Sequence, residues 1–156
     1  MANPRDTVTV ERVINASPEV IFELLANPSR HPEIDGSGSV RKAREGAPAR
    51  LSKGASFGMD MRIGLPYGML NTVTEFDPPR LIAWSPRPAS RIGARFAGRI
   101  WRYELEPVEG GTRVRESWDI SKEATRAVLR MVMATRTKRD MEKSLERLER
   151  LATGGA

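Results

Sequence analysis

From Lys122 to Ala152 the apolar residues recur at steps of three and four, whereas most of the chain before that segment alternates in twos. Ala124, Val128, Met131, Val132, Thr135, Met141, Leu145, Leu148 and Leu151 are expected on one face of a single long, basic, amphipathic helix, stopped by Gly154-Gly155. At about 1.5 Å per residue such a helix is about 45 Å long, enough to cross a small sheet. A rod of that length laid over a curved antiparallel sheet can enclose a hollow, so the expected role is to hold a molecule.

The segments ahead of the helix supply the sheet. Thr7 to Asn15 is rich in β-branched residues and reads as a first strand. Ser17 then caps a short helix, with Pro18 at its first position. Val20, Ile21, Leu24 and Leu25 form its apolar face, with Phe22 beside it, and Asn27-Pro28 ends it. Pro28 to Ile34 reads as a second short helical turn, broken by the Asp35 to Ser39 stretch. Val40 to Arg44, Ala55 to Ile63, Met69 to Phe76 and Leu81 to Ser85 are expected to be extended, the last two joined by a turn at Asp77-Pro78-Pro79-Arg80. Ser85 to Gly98, heavy in Pro, Gly and Arg, reads as a loop. Phe96 to Glu106 and Thr112 to Ile120 then pair across Glu109-Gly110-Gly111. The order of elements is that of an α+β fold.

Composition narrows the class. At 156 residues the chain is expected to form one domain, 1–156, large enough to bury a core without covalent staples. The lack of cysteine rules out disulfides, thiolate metal ligands and a Cys nucleophile, and accords with a reducing cytoplasm. No window is apolar enough for a membrane span, and MANPRDTVTV lacks the apolar run of a secretory signal. The net charge of +6 would suit nucleic acid or an anionic surface, but the arginines are scattered, which argues for compositional bias instead. With one histidine and no clustered acids, no metal site is expected. No phosphate loop, GxSxG elbow or dinucleotide fingerprint is present, so no cofactor is expected either.

Three stretches carry a family likeness: ASPEVIFELLANPSRHPEI, NTVTEFDPPRLIAW, and GGTRVRESWDIS ahead of the long terminal helix. In that order and spacing, over nearly the whole chain, the sequence resembles the START/polyketide-cyclase-like superfamily, often called SRPBCC. The resemblance implies the helix-grip fold: a seven-stranded curved antiparallel sheet with two short helices, wrapped round a long C-terminal helix, with an apolar cavity between. Members of that superfamily bind lipids, sterols, polyketides or plant hormones, and some cyclise aromatic polyketides. Others are heat-shock ATPase activators, ubiquinone-binding partners or ribosome-associated toxins, so fold alone constrains function weakly. Many relatives carry Trp after the Pro-Glu of the second short helix, where this chain has Ile34, a change that bears on the cavity mouth.

Strand alternation yields a set of cavity candidates independent of the resemblance. Phe57, Met59, Met61 and Ile63 share one face of their strand; Trp101, Tyr103 and Leu105 share another; Val114, Trp118 and Ile120 a third. Met and aromatic side chains as a set suit a pocket for an irregular apolar guest, although any one of them taken singly is better read as core filling. The ligand-binding candidates are therefore His31, Phe57, Met59, Met61, Trp84, Trp101, Tyr103, Glu116 and Trp118, with Val128, Met131, Val132 and Thr135 from the covering helix.

Two of these carry titratable groups. Glu116 falls on the inward parity between Val114 and Trp118, so it must be paired, hydrogen-bonded or protonated. It is either a polar anchor or acid/base, or an internal partner for Arg99 or Tyr103. His31 is either a general base oriented by Glu33 or Asp35, or a solvated residue on a short helix. Arg87, Arg91, Arg95 and Arg99 are either an anion-attracting rim or solvated surface, and the basic residues of the last helix have the same status.

The expected function is binding of a hydrophobic or amphipathic small molecule, a lipid, polyketide or similar, in the internal cavity. One alternative is an aromatase/cyclase-type enzyme using His31, Tyr103 and Glu116, with orientation supplying most of the catalysis. Another is a toxin-like or ATPase-activator-like interaction module. No catalytic residue is assigned, and the ligand and oligomeric state are left open.

Overall fold

The computed structural model describes residues 3–88 and 97–155. Among these, seven strands form one antiparallel sheet: β1 (Thr7–Ile14), β2 (Val40–Ala43), β3 (Ser56–Ile63), β4 (Leu65–Asp77), β5 (Leu81–Pro88), β6 (Ile100–Val108) and β7 (Gly111–Asp119). Their order is β1-β7-β6-β5-β4-β3-β2. Two short helices, α1 (Pro18–Leu25) and α2 (His31–Ile34), connect β1 to β2, and α3 (Arg126–Thr153) follows β7. This is the helix-grip arrangement, a curved sheet gripping one long helix.

Local chemistry sets these elements. The Val20 N–H donates to the Ser17 hydroxyl at 3.3 Å, capping α1 where Pro18 begins it. Ile21, Phe22 and Leu25 turn inward, but Val20, expected on the same face, is 48% exposed. An eight-residue helix buries only one stripe, and Val20 lies beside it. Pro28–Arg30 forms a 3₁₀ turn that runs directly into α2.

Two strand limits differ from expectation. Gly64, at φ +71°, reverses the chain so tightly that Ile63 pairs with Leu65, and β4 starts at Leu65 rather than Met69. β5 runs past Ser85 to Pro88, with Asn71 opposite Pro86 and Met69 opposite Pro88. Its pairing with β6 ends at Trp84 opposite Trp101, so these prolines fall where that edge of β5 makes no described ladder. Phe96, Arg91 and Arg95 lie outside the described residues.

Helix α3 is about 42 Å long at 1.5 Å per residue and ends at Gly154, in the left-handed conformation at φ +66°. Its inward stripe is Met141, Ser144, Leu145 and Leu148, continued backwards through Thr137, Met133 and Leu129. The expected stripe is right in the second half and wrong in the first. Val128, Met131 and Val132 are 58%, 81% and 69% exposed, and Thr135 is exposed too. Thr135 to Met141 is a step of six residues, which turns a helix well off its starting face; steps of four from Met141 reach Thr137 and Met133 instead.

The core joins Ile14, Ile21, Phe22, Leu25, Val73, Ile82, Val114, Trp118 and Ile120 to Met141, Leu145 and Leu148. Each large side chain so buried contributes about 1.5–3 kcal/mol. Polar contacts then fix where α3 lies. Arg130 Nη1 bonds Asp6 Oδ1 at 2.6 Å, Arg147 Nη1 donates to the Asp35 carbonyl at 2.6 Å, and the Gly36 N–H donates to Ser144 Oγ at 2.8 Å. No described helix is long and apolar enough to cross a membrane.

Candidate functional site

Between the sheet, α2 and α3 lies a cavity of about 420 Å³. The strands supply Phe57 and Met59 from β3, Asn71 from β4, Trp84 from β5, Trp101 and Tyr103 from β6, and Glu116 from β7. α2 contributes His31 and Ile34, and α3 closes the hollow with Met133, Thr137, Met141 and Ser144. Other lining residues, Ile63, Tyr67, Val132 and Arg136, are exposed and mark its mouth. A second depression, about 320 Å³, lies at Arg80, Glu104, Glu106, Arg113 and Arg115, where charged, mostly exposed side chains line it. The inner cavity is larger and far more apolar, as sites for small organic molecules are.

Four rings follow one another along the wall. The His31 and Phe57 rings meet edge to face at 5.4 Å between centroids, His31 stacks on Trp84 at 4.9 Å, and Trp84 stacks on Tyr103 at 5.6 Å. Phe57 meets Trp84 edge to face at 6.1 Å, closing a compact group. Such contacts fix ring orientation, so the wall is preorganised.

The Tyr103–Glu116 pair lies at the end of this row. They are direct cross-strand partners on β6 and β7, and the Tyr103 hydroxyl donates to Glu116 Oε1 at 2.9 Å. Glu116 is 2% exposed, and its other oxygen, Oε2, is buried with no partner. Burial pushes the Glu116 carboxyl up to about 8; the Tyr103 bond works against that shift, and the negative charge of Asp35 adds to it. Burial, then the neighbouring Glu116, likewise raises the Tyr103 hydroxyl well above its ordinary value. Of the two partners expected for Glu116, Tyr103 is the one found. Arg99 turns elsewhere, its Nε bonding Glu123 Oε1 at 2.9 Å.

His31 is buried, not solvated. Its Nε2 lies 2.7 Å from the Leu25 carbonyl, which only accepts, so Nε2 carries the hydrogen and Nδ1 is left as an acceptor. Burial lowers its pKa to about 4, against the opposing pull of the Leu25 bond and of Asp35. The imidazole is therefore neutral at physiological pH.

Of the candidates named from sequence, His31, Phe57, Met59, Met61, Trp84, Trp101, Tyr103, Glu116 and Val132 line this cavity. Trp118 does not. It is 1% exposed and packs behind Trp101 at 6.2 Å between ring centroids, as core. Val128, Met131 and Thr135 are also absent from the lining, being on the outward side of α3. Met133, Thr137 and Ser144 were missed; their spacing from Met141 in steps of three and four is compatible with the sequence pattern but not singled out by it. Asn71 was missed as well, despite sharing the parity of Met69 and Val73; its amide donates to the Phe57 carbonyl at 3.4 Å. Arg87 is exposed on β5, while Arg126 and Arg130 face Asp6. Among the described residues no group of three His, Cys, Asp or Glu is placed to hold a metal ion.

Residues 5–153 match the family described as polyketide cyclase / dehydrase and lipid transport. An uncharacterized protein of Mycobacterium tuberculosis is 39% identical over 101 residues, which are 64% of this chain and 41% of that protein. The match thus spans about two fifths of the length of that relative. Among solved structures, a Nitrosomonas europaea protein superposes with a TM-score of 0.75 at 15% identity, covering 97% of each chain. The Aha1 dimer from Colwellia psychrerythraea gives 0.67 at 19% identity, covering 96% of this chain and 97% of that one. At these identities the structural likeness is one of fold.

Proposed function

Because the chain belongs to the polyketide cyclase / dehydrase and lipid transport family, within the SRPBCC superfamily, we propose that it binds a hydrophobic or amphipathic small molecule in the cavity between its sheet and α3. The observation that carries this is the cavity itself. A hollow of about 420 Å³ is left open where the same Met, Trp and Phe side chains would otherwise pack together. It falls in the range of about 300–1,000 Å³ that encloses drug-sized ligands. Met59, Met61, Met133 and Met141 adapt to irregular shapes, while the stacked rings give rigid contact area.

The test is native mass spectrometry of the purified protein, followed by titration with the neutral fluorophore N-phenyl-1-naphthylamine. Expected are a bound mass lost on denaturation and saturable, single-site fluorescence enhancement. Absence of both would remove the proposal.

A cyclase-type reaction is favoured by one observation: His31, Tyr103 and Glu116 line the same cavity. Neutral His31 Nδ1 is an acceptor and the Glu116 carboxyl, kept protonated, a donor, the two roles that general base and acid require. Turnover of a poly-β-ketone mimic that survives both His31→Ala and Glu116→Gln would remove these residues from any such role.

A further inference from the structure

We infer that Glu116 Oε2 anchors a neutral, flat, ring-bearing guest by donating a hydrogen bond to an uncharged acceptor oxygen, such as a ketone, at the inner end of the cavity. This rests on the cavity-binding proposal above and adds to it the chemical class of the guest.

Geometry comes first. Glu116 is one of the residues lining the cavity, is almost wholly buried, and its carboxyl uses only one oxygen within the protein. Because Tyr103 donates to Oε1, the carboxyl proton belongs on Oε2, the oxygen with no partner. A buried donor left unpaired costs free energy that a guest oxygen at that point recovers. The raised pKa of Glu116, about 8, keeps that proton in place at neutral pH.

The same surroundings select against a charged end. A carboxylate brought to Oε2 would exchange water for an apolar wall, with the charge of Asp35 acting on the same site. Arg99 also lines the cavity, but its guanidinium is bonded to the buried Glu123. A charged group on the guest is thus left to the mouth, where Arg136 is 73% exposed. Flatness follows from the wall: Trp84 and His31 are stacked within 24° of parallel, and Trp84 and Tyr103 within 30°. Rings held in fixed orientation favour an aromatic guest, packed edge-on or offset against them.

The experiment compares 9-fluorenone with fluorene, its counterpart lacking the ketone, by quenching of tryptophan emission at pH 6.5. Fluorene-9-carboxylate serves as the charged comparator. In the native protein fluorenone is expected to bind about tenfold tighter than fluorene, with the carboxylate weakest. Glu116→Met should reduce the fluorenone preference to within about twofold, the ratio of ratios cancelling differences in probe hydrophobicity. Glu116→Gln, whose amide N–H replaces the donor, should keep it, and shows that the pocket tolerates substitution. Equal binding of fluorenone and fluorene by the native protein, a preference that survives Glu116→Met, or tighter binding of the carboxylate each overturn the anchor while leaving the cavity proposal standing. If neither fluorene nor fluorenone binds, the anchor is overturned, and N-phenyl-1-naphthylamine binding by the same protein decides separately whether the cavity proposal stands.

Discussion

Tyr103 and Glu116 share a hydrogen bond of 2.9 Å across the β6–β7 ladder, and the carboxyl oxygen that Tyr103 does not use has no partner. The pair ties stability to pH. Glu116 titrates near 8 when folded and at its ordinary 4.5 when unfolded, so the unfolded chain releases this proton first as pH rises. Its contribution is fully present below 4.5 and is lost between 4.5 and about 8, at roughly 1.4 kcal/mol per pH unit. Besides this pair, the charged and titratable groups lining the cavity are His31 on α2, Asp35 just after it, Tyr67 on β4, Arg99 before β6, and Arg136 and Asp140 on α3. Glu116→Gln removes the titration while keeping an acceptor for Tyr103. Urea unfolding should show the variant gaining on the native protein as pH rises from 5 to 8, with no further gain beyond. A constant difference across that range would mean that Glu116 is ionised in the folded protein.

His31 acts in the opposite direction. Its folded pKa of about 4 lies below the ordinary 6.5, so the unfolded chain takes up the proton first as pH falls. The stability it contributes is present above 6.5 and is lost between 6.5 and about 4, again at roughly 1.4 kcal/mol per unit. His31→Phe should remove this acid-side loss while keeping a ring against Trp84. Its cost at pH 7.5 should be about 1 kcal/mol, for the Leu25 carbonyl left without its donor. Parallel stability curves for variant and native protein between pH 7 and 4.5 would count against a buried neutral imidazole.

How far this site was legible depends on which period the sequence kept. Strand parity is two, and it placed Phe57, Met59, Trp101, Tyr103 and Glu116 on the cavity side without reference to any neighbour. Helix α3 offered two apolar series that agree from Met141 onward and part before it. Only the seating of α3 on the sheet, fixed by Asp6, Asp35 and Gly36, decides between them. The burial of His31 was not legible either. A short helix beside a proline reads as surface, and the Leu25 carbonyl that receives Nε2–H is exposed for bonding only because α1 ends at Leu25. Trp118 had the right parity but sits behind Trp101, a matter of depth that alternation does not encode.

Gly36 holds α2 against α3. A Cβ at this position would stand 2.2 Å from the Asp140 carbonyl oxygen and 2.7 Å from the Ser144 nitrogen, both backbone atoms that cannot step aside. Gly36→Ala should therefore lower stability by about 1–3 kcal/mol through overpacking. Ser144→Ala, which removes the acceptor of the Gly36 N–H and the donor to the Asp140 carbonyl but adds no bulk, should cost about 1 kcal/mol. Urea midpoints in that order check the assignment, and a neutral Gly36→Ala would show that α3 seats elsewhere.

Arg99 and Glu123 join the start of β6 to the turn that leads into α3. The Glu123 side chain is fully buried, and Arg99 Nε at 2.9 Å is its described partner. Removing Arg99 leaves an uncompensated carboxylate inside the protein, so Arg99→Met should cost about 3 kcal/mol. Adding Glu123→Gln should restore most of that loss, because the double variant buries no unpaired charge. A double-mutant cycle by thermal unfolding measures the coupling, and additive losses would show the pair to be independent.

Thr137 separates the two candidate faces of α3 in a single comparison. It is 8% exposed on the seated stripe and lines the hollow between Met133 and Met141, whereas Met131 is 81% exposed and does not line it. In a packed core a larger side chain at Thr137 would clash, but here it has an unfilled volume to enter. Thr137→Phe should leave the melting temperature unchanged or raised and weaken N-phenyl-1-naphthylamine binding by about tenfold, since the ring takes the volume that the guest needs. Met131→Lys should leave stability within about 0.5 kcal/mol and leave probe binding unaltered, as an exposed substitution does. Should Met131→Lys abolish binding while Thr137→Phe spares it, the first half of α3 would have to be turned so that Val128 and Met131 face the sheet.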